Sequence, residues 1–166
     1  MGDENGSGPR DVAIVREGRR WRLTAQTDFD LEPAQVFPFF ADARNLEAIT
    51  PPLLRFEVLT PEPIEIGEGT LIDYRLRIHG LPLRWRTRIA AWDPPHRFVD
   101  EQLRGPYHVW RHEHVFDALD GGRTRMTDRI VYRPLGGKLA HRLVVERDLR
   151  AVFDHRLREI RRLLEA

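Results

Sequence analysis

The sequence predicts an α+β fold: a curved antiparallel sheet of about seven strands, two short helices after strand one, and a long C-terminal helix across the concave face. Three observations carry this expectation. Short segments with period-two alternation recur along the chain, separated by Gly, Pro and Asp turns. An aromatic-rich, proline-bordered stretch interrupts them once, directly after the first long strand. The last segment, from about Gly137 to Leu164, switches to apolar spacing near 3.6 residues.

The elements follow in order. Residues 1–10 read as a polar, disordered tail, and residues 11–166 as a single domain. A hairpin is expected from Val12 to Arg16, turning at Glu17-Gly18. In the next strand Trp21, Leu23, Ala25, Thr27 and Phe29 alternate with Arg22, Thr24, Gln26 and Asp28. Between Pro33 and Ala43, Val36, Phe37, Phe39 and Phe40 cluster on one helical side, with Pro33 suited to a first turn and Pro38 expected to limit or bend the helix. A second short helix over Arg44–Ile49 stops at Pro51-Pro52. Strands are then expected at 56–60, 70–79, 83–91, 97–103, 107–116 and 124–132. The turns between them are marked by Gly67 and Gly69, Gly80, Pro94-Pro95, Gly105-Pro106 and Asp120-Gly121-Gly122. In the final helix Leu139, Leu143, Leu149, Val152, Phe153, Leu157, Ile160 and Leu164 are expected to face the sheet. A sheet that curls around a helix is hard to fill completely, so a cavity between them is expected.

Composition narrows the function. With 166 residues and 41% hydrophobic content the chain can bury one sizeable core. Its 27 basic and 26 acidic residues give a net charge of +1, which argues against a protein built to neutralise phosphates. No apolar run is long enough to span a bilayer, and none follows Met1 as a secretory signal would, so a cytoplasmic location without membrane insertion is expected. Cysteine is absent, which excludes disulfides, thiolate metal sites and a cysteine nucleophile. Ser7 is the sole serine, no Gly-x-Ser-x-Gly elbow exists, and Gly67-Glu68-Gly69 is too short for a nucleotide fingerprint. No cofactor is expected.

Several stretches together resemble the helix-grip superfamily of START, Bet v 1 and polyketide-cyclase domains (SRPBCC). They are Asn45-Leu46-Glu47 with Thr50-Pro51-Pro52, Phe98 to Gln102, Gly105-Pro106-Tyr107, the pattern Trp110, His112, His114 and Phe116, then Thr124, Met126, Asp128, Tyr132, Phe153 and Arg156. The resemblance covers residues 21–165 and is nearest to a bacterial polyketide cyclase/dehydrase-like, ligand-binding branch. It implies a cavity for a small hydrophobic molecule such as a lipid, polyketide or isoprenoid. It does not imply one reaction.

The run Trp110-Arg111-His112-Glu113-His114-Val115-Phe116 carries the chemistry. On a strand it puts Trp110, His112, His114 and Phe116 on one face, and the two aromatic anchors mark that face as inward. A turn centred near Gly121 places Asp128 across from His112 or His114, and Tyr132 near Trp110. The Gly105-Pro106 turn can set Phe98, Asp100 and Gln102 beside Trp110 and His112. The expected ligand-binding set is Tyr74, Leu76, Trp85, Phe98, Asp100, Gln102, Trp110, His112, His114, Asp128, Tyr132 and Phe153. Four readings of its polar members stay open. They can satisfy one another and fix register, orient an apolar ligand, act as acid–base groups in a cyclase or dehydratase (His112, His114 and Asp128), or bind metal through His112, His114 and Asp128. A lone His-x-His is a weak metal signal, so no metal is expected. Outside, Arg75, Arg77, Arg84, Arg86, Arg88, Arg125 and Arg129 form a stripe that Asp73, Glu101 and Glu113 can balance. It reads as a solvated face, with no nucleic-acid partner expected.

Overall fold

The computed structural model describes residues 10–164; the expected polar tail lies outside them, apart from Arg10. Strands β1 (Arg10–Glu17) and β2 (Arg20–Phe29) form a hairpin, followed by helices α1 (Pro33–Phe40) and α2 (Asn45–Ala48) and a single 3₁₀ turn at Pro52–Leu54. Then come β3 (Glu57–Val58), β4 (Leu71–Ile78), β5 (Leu81–Asp93), β6 (Arg97–Arg104), β7 (Tyr107–Leu119) and β8 (Arg123–Pro134). Helix α3 (Gly137–Ala140), a π-helical segment (His141–Val145) and α4 (Glu146–Leu164) complete the described residues.

All eight strands belong to one antiparallel sheet in the order β1-β2-β8-β7-β6-β5-β4-β3. The sheet has one strand more than the seven expected because the hairpin arm from Ala13 to Glu17 pairs with β2, with a register shift between Arg10 and Ala13. Every strand from β3 to β8 pairs with its neighbour in sequence, and β2 then pairs with β8. The tight β4–β5 turn needs left-handed backbone at His79 (φ 50°) and Gly80 (φ 80°), which is costly for the histidine. His79 Nε2 lies 2.6 Å from Asp148 Oδ2, an α4 contact that holds the turn.

Alternation is translated directly into burial on β2, where Trp21, Leu23, Ala25, Thr27 and Phe29 all face inward. In α1, Gln35 Oε1 accepts the Glu32 backbone N–H at 3.0 Å, and the helix passes through Pro38 before ending at Phe40. The second strand expected in the meander, 56–60, shrinks to Glu57–Val58.

The C-terminal helix departs from its expected face. Leu139 and Leu143 are 64% and 60% exposed, whereas His141 is buried. The π-helical segment explains this: a wider turn rotates the face that points inward relative to a 3.6-residue repeat. His141 stacks on Trp21 at 4.2 Å and its Nε2 lies 2.8 Å from the Tyr132 hydroxyl. Beyond it, α4 buries Leu149, Phe153, Leu157 and Ile160 as expected. No helix among the described residues is long and apolar enough to cross a membrane.

The convex face carries the arginine stripe, largely paired. Arg75 meets Glu57, Arg86 meets Asp73, Arg88 meets Glu101, Arg125 meets Asp28 and Arg129 meets Glu113.

Candidate functional site: a cavity with a charged corner

Helix α4 packs on the β1–β2 side of the sheet. There Leu149, Phe153 and Leu157 join Trp21, Leu23, Ile130 and Tyr132 in one buried cluster. The opposite half curls away from the helix. A cavity of about 920 Å³ lies between them, bounded by Ile72, Tyr74, Leu76, Trp85 and Ile89 from the sheet and by Leu149, Val152 and Phe153 from α4. Phe40, Leu46 and Ile49 close one side. The wall also includes Leu53, which is 89% exposed, and the half-exposed Leu135, so the cavity reaches the surface.

Its aromatic lining is ordered. Trp85 and Trp110 meet edge to face at 5.2 Å, and Tyr107 packs against Trp110 at 4.7 Å. Trp85 donates its indole N–H to Thr87 Oγ1 at 3.1 Å, which fixes the ring. Burial pushes the Tyr74 hydroxyl's pKa up, so this wall group is a neutral phenol.

One corner is charged, and strand register builds it. His112 and His114 leave the same face of β7; β6 sets Asp100 opposite His112, and β8 sets Asp128 opposite His114. His112 Nε2 is 2.8 Å from Asp128 Oδ1, and His114 Nε2 is 3.2 Å from Asp100 Oδ2. The remaining ring nitrogens point crosswise. His114 Nδ1 lies 2.9 Å from Asp128 Oδ1 without hydrogen-bond alignment, and His112 Nδ1 lies 3.7 Å from Asp100 Oδ2. The rings are 3.8 Å apart, and His114 stacks on Phe98 at 4.0 Å.

Two buried imidazoles this close cannot both carry charge easily. Burial, and then the charge of His114, push the His112 pKa down against the pull of Asp128 and Asp100. Burial opposes the His114 cation too, but Asp100 and Asp128 outweigh it and the pKa rises. Burial would raise both carboxyls; contacts from the histidines hold Asp128 well below the usual range, and those contacts with Arg156 hold Asp100 low. These shifts favour two carboxylates in the corner and place the positive charge on His114 rather than on His112.

Of the residues expected to bind ligand, Tyr74, Leu76, Trp85, Phe98, Asp100, Trp110, His112, His114 and Phe153 all line the cavity. Gln102, Asp128 and Tyr132 do not. The Gln102 amide clamps the β6–β7 turn, with Nε2 donating to the Tyr107 carbonyl at 2.7 Å. A Cβ at Gly105 would come within 2.3 Å of Gln102 Oε1, so this clamp needs the glycine. Asp128 stands behind the histidines, fully buried, and Tyr132 is tied to His141. The sequence reading left out Thr87 and Arg156 as wall residues. The signals existed: Thr87 is two residues from Trp85 on a strand, and Arg156 one turn from Phe153 on a helix. The Arg156 guanidinium lies 5.5 Å from the Phe153 ring.

A curved antiparallel sheet holding a long helix over a cavity defines the helix-grip class. Residues 20–165 match the family described as polyketide cyclase / dehydrase and lipid transport, and the chain belongs to that family, within the START–Bet v 1-like SRPBCC superfamily. No curated protein sequence matches it significantly. Among solved structures, protein Ms6760 from Mycobacterium smegmatis is similar over 95% of this chain and 98% of its own, at 23% identity and a TM-score of 0.69. The Zhui aromatase/cyclase from Streptomyces sp. R1128 matches over 88% of this chain and 94% of its own, at 17% identity and a TM-score of 0.67. Ara h 8.0201 matches over 87% and 97%, at 14% identity and a TM-score of 0.63. At these identities the likeness is one of fold.

Proposed function

We propose that the chain binds one small, mostly apolar molecule of lipid, polyketide or isoprenoid type between the sheet and α4, in the cytoplasm. The observation that carries this reading is the cavity: about 920 Å³, walled by aromatic and aliphatic side chains, with one charged corner. That volume is within the roughly 300–1,000 Å³ of sites for drug-sized ligands, and a few placed polar groups are what orients such a ligand. Apolar atoms contact Trp85, Trp110, Leu76 and Ile89, while a polar head group reaches Asp100, His112 and His114. Native mass spectrometry on protein purified without detergent tests it. A retained small molecule at one per chain is expected; protein that carries nothing, and takes up nothing saturably from a lipid and polyketide panel, ends the proposal.

One observation favours a second reading. His112 and His114 have pKa values displaced in opposite directions, which supplies a neutral base beside a cationic acid. In a cyclase or dehydratase, His112 would accept a proton from a ligand carbon or hydroxyl and His114 would donate one, with Asp128 positioning both rings. Turnover lost by about 10²–10⁴-fold in His112→Ala, with binding retained, separates catalysis from carriage.

A further inference from the structure

We infer that Asp100, His112 and His114 form a binding site for a divalent transition metal of the zinc class, with Asp128 as the positioning residue behind both imidazoles. This goes beyond ligand carriage and does not rest on it.

The donor set comes first. One ligand atom from each of the three residues lies within 4.8 Å of the other two. Asp100 Oδ2 is 3.2 Å from His114 Nε2 and 3.7 Å from His112 Nδ1. Donors at Zn–N and Zn–O distances of about 2.0–2.1 Å in a tetrahedron stand about 3.3 Å apart, so the site needs only small side-chain rotations to close on an ion. Two imidazoles and one carboxylate are borderline-soft ligands that suit zinc and its neighbours better than calcium or magnesium.

Asp128 forms an outer layer: His112 Nε2 hydrogen-bonds Asp128 Oδ1 at 2.8 Å, and His114 Nδ1 lies 2.9 Å from the same oxygen, out of hydrogen-bond alignment. A carboxylate behind a metal-binding imidazole fixes its tautomer and raises its basicity. His112 Nδ1, the ring nitrogen turned away from Asp128, faces the Asp100 carboxylate at 3.7 Å, the side of the ring on which an ion would sit. His114 Nε2–H donates to Asp100 in the metal-free site, so that proton must leave for solvent when the ion binds.

The site is open to the cavity. Asp100, His112 and His114 line the cavity whereas Asp128 does not, so the ion has protein ligands on one side and the cavity on the other. Three protein ligands leave a fourth position open toward a bound molecule. Arg156 on the same wall opposes a bare cation but suits an oxyanion as that fourth ligand.

Calorimetric titration of the full, chelator-stripped chain with Zn²⁺ alone tests the site, so the result is independent of any organic ligand. One ion per chain is expected. Imidazole ¹⁵N shifts are expected to assign binding to His112 Nδ1 and His114 Nε2. Asp128→Asn should weaken Zn²⁺ binding by about 10–100-fold, and Asp100→Asn by more. No stoichiometric uptake by the parent chain overturns the inference, as does uptake unchanged in Asp100→Asn or shifts at His79, His108 or His155 instead. If Asp128→Asn does not fold, the nitrogen assignment on the parent chain decides.

Discussion

The two halves of the sheet obey the same alternation and end differently. On the β1–β2–β8 side, Leu23, Ile130 and Tyr132 are fully buried against Leu149, Phe153 and Leu157 of α4. On the β4–β5–β6 side, Leu76, Trp85 and Phe98 point the same way but border the cavity. Inward alternation therefore marks the concave face without saying whether it meets a helix or a space. The charged corner sits at the boundary: His112 approaches the packed Phe153 at 6.0 Å, and His114 stacks on Phe98.

The strongest way to break this contrast is at the corner. Asp128→Ala leaves His112 and His114 without their shared carboxylate, and removal of one partner from a buried charged set costs about 3–5 kcal/mol. A melting temperature lower by about 2–4 °C per kcal/mol is expected for a chain of this size. A variant that melts with the parent protein would show that Asp128 holds nothing together.

Next come paired truncations of equal chemistry. Leu23→Ala opens a void in the packed half and should cost about 2–5 kcal/mol in denaturant unfolding. Leu76→Ala merely widens a space that already exists, so its cost should fall at or below about 2 kcal/mol, the low end for such truncations. Equal losses would contradict the division of the sheet.

Stability should depend on pH through the charged corner. The folded pKa values of Asp100 and Asp128 are depressed, so the stability they contribute is present above the unfolded value of about 3.9 and is lost as pH falls. His112, also depressed, adds a loss in the same direction that starts near the unfolded value of about 6.5. His114 is raised: its contribution is complete below about pH 6.5 and disappears as pH climbs through the folded value. Unfolding midpoints should therefore drop from pH 5 to pH 3, and His114→Gln should flatten the decline on the alkaline side. A midpoint that rises between pH 5 and pH 3 would refute this charge assignment.

The smallest effect is expected at Leu139→Ala and Leu143→Ala. Both side chains are exposed, so changes within about 0.5 kcal/mol are expected. Losses of core size would mean that the π-helical segment does not turn them outward.

These residues also show what a sequence can disclose. The alternation of Trp110, His112, His114 and Phe116, read with the Asp120-Gly121-Gly122 turn, places Asp128 across from His112 or His114, and the observed register sets it opposite His114. The Gly105-Pro106 turn places Phe98, Asp100 and Gln102 beside Trp110 and His112, and the observed register pairs Asp100 with His112. Leu139 and Leu143 defeated the 3.6-residue rule because one π-helical segment resets a helix's inward face, and propensity carries no mark of it. Tyr132 has inward parity but sits on the packed half, against His141. Whether an inward side chain reaches the cavity depends on where α4 lies across the sheet, a long-range fact that local pattern does not encode.

The central claim is that the open half binds an apolar molecule, and tryptophan emission can read it directly. Trp85 and Trp110 line the cavity, whereas Trp21 is stacked on His141 in the packed half. Titration with an apolar fluorescent reporter should quench tryptophan emission saturably at one reporter per chain. The quench should persist in Trp21→Phe, shrink in Trp85→Phe, and disappear in Leu76→Trp, which fills the cavity. Saturable binding that Leu76→Trp leaves intact, in a chain that still melts cooperatively, would place the ligand elsewhere and contradict the account.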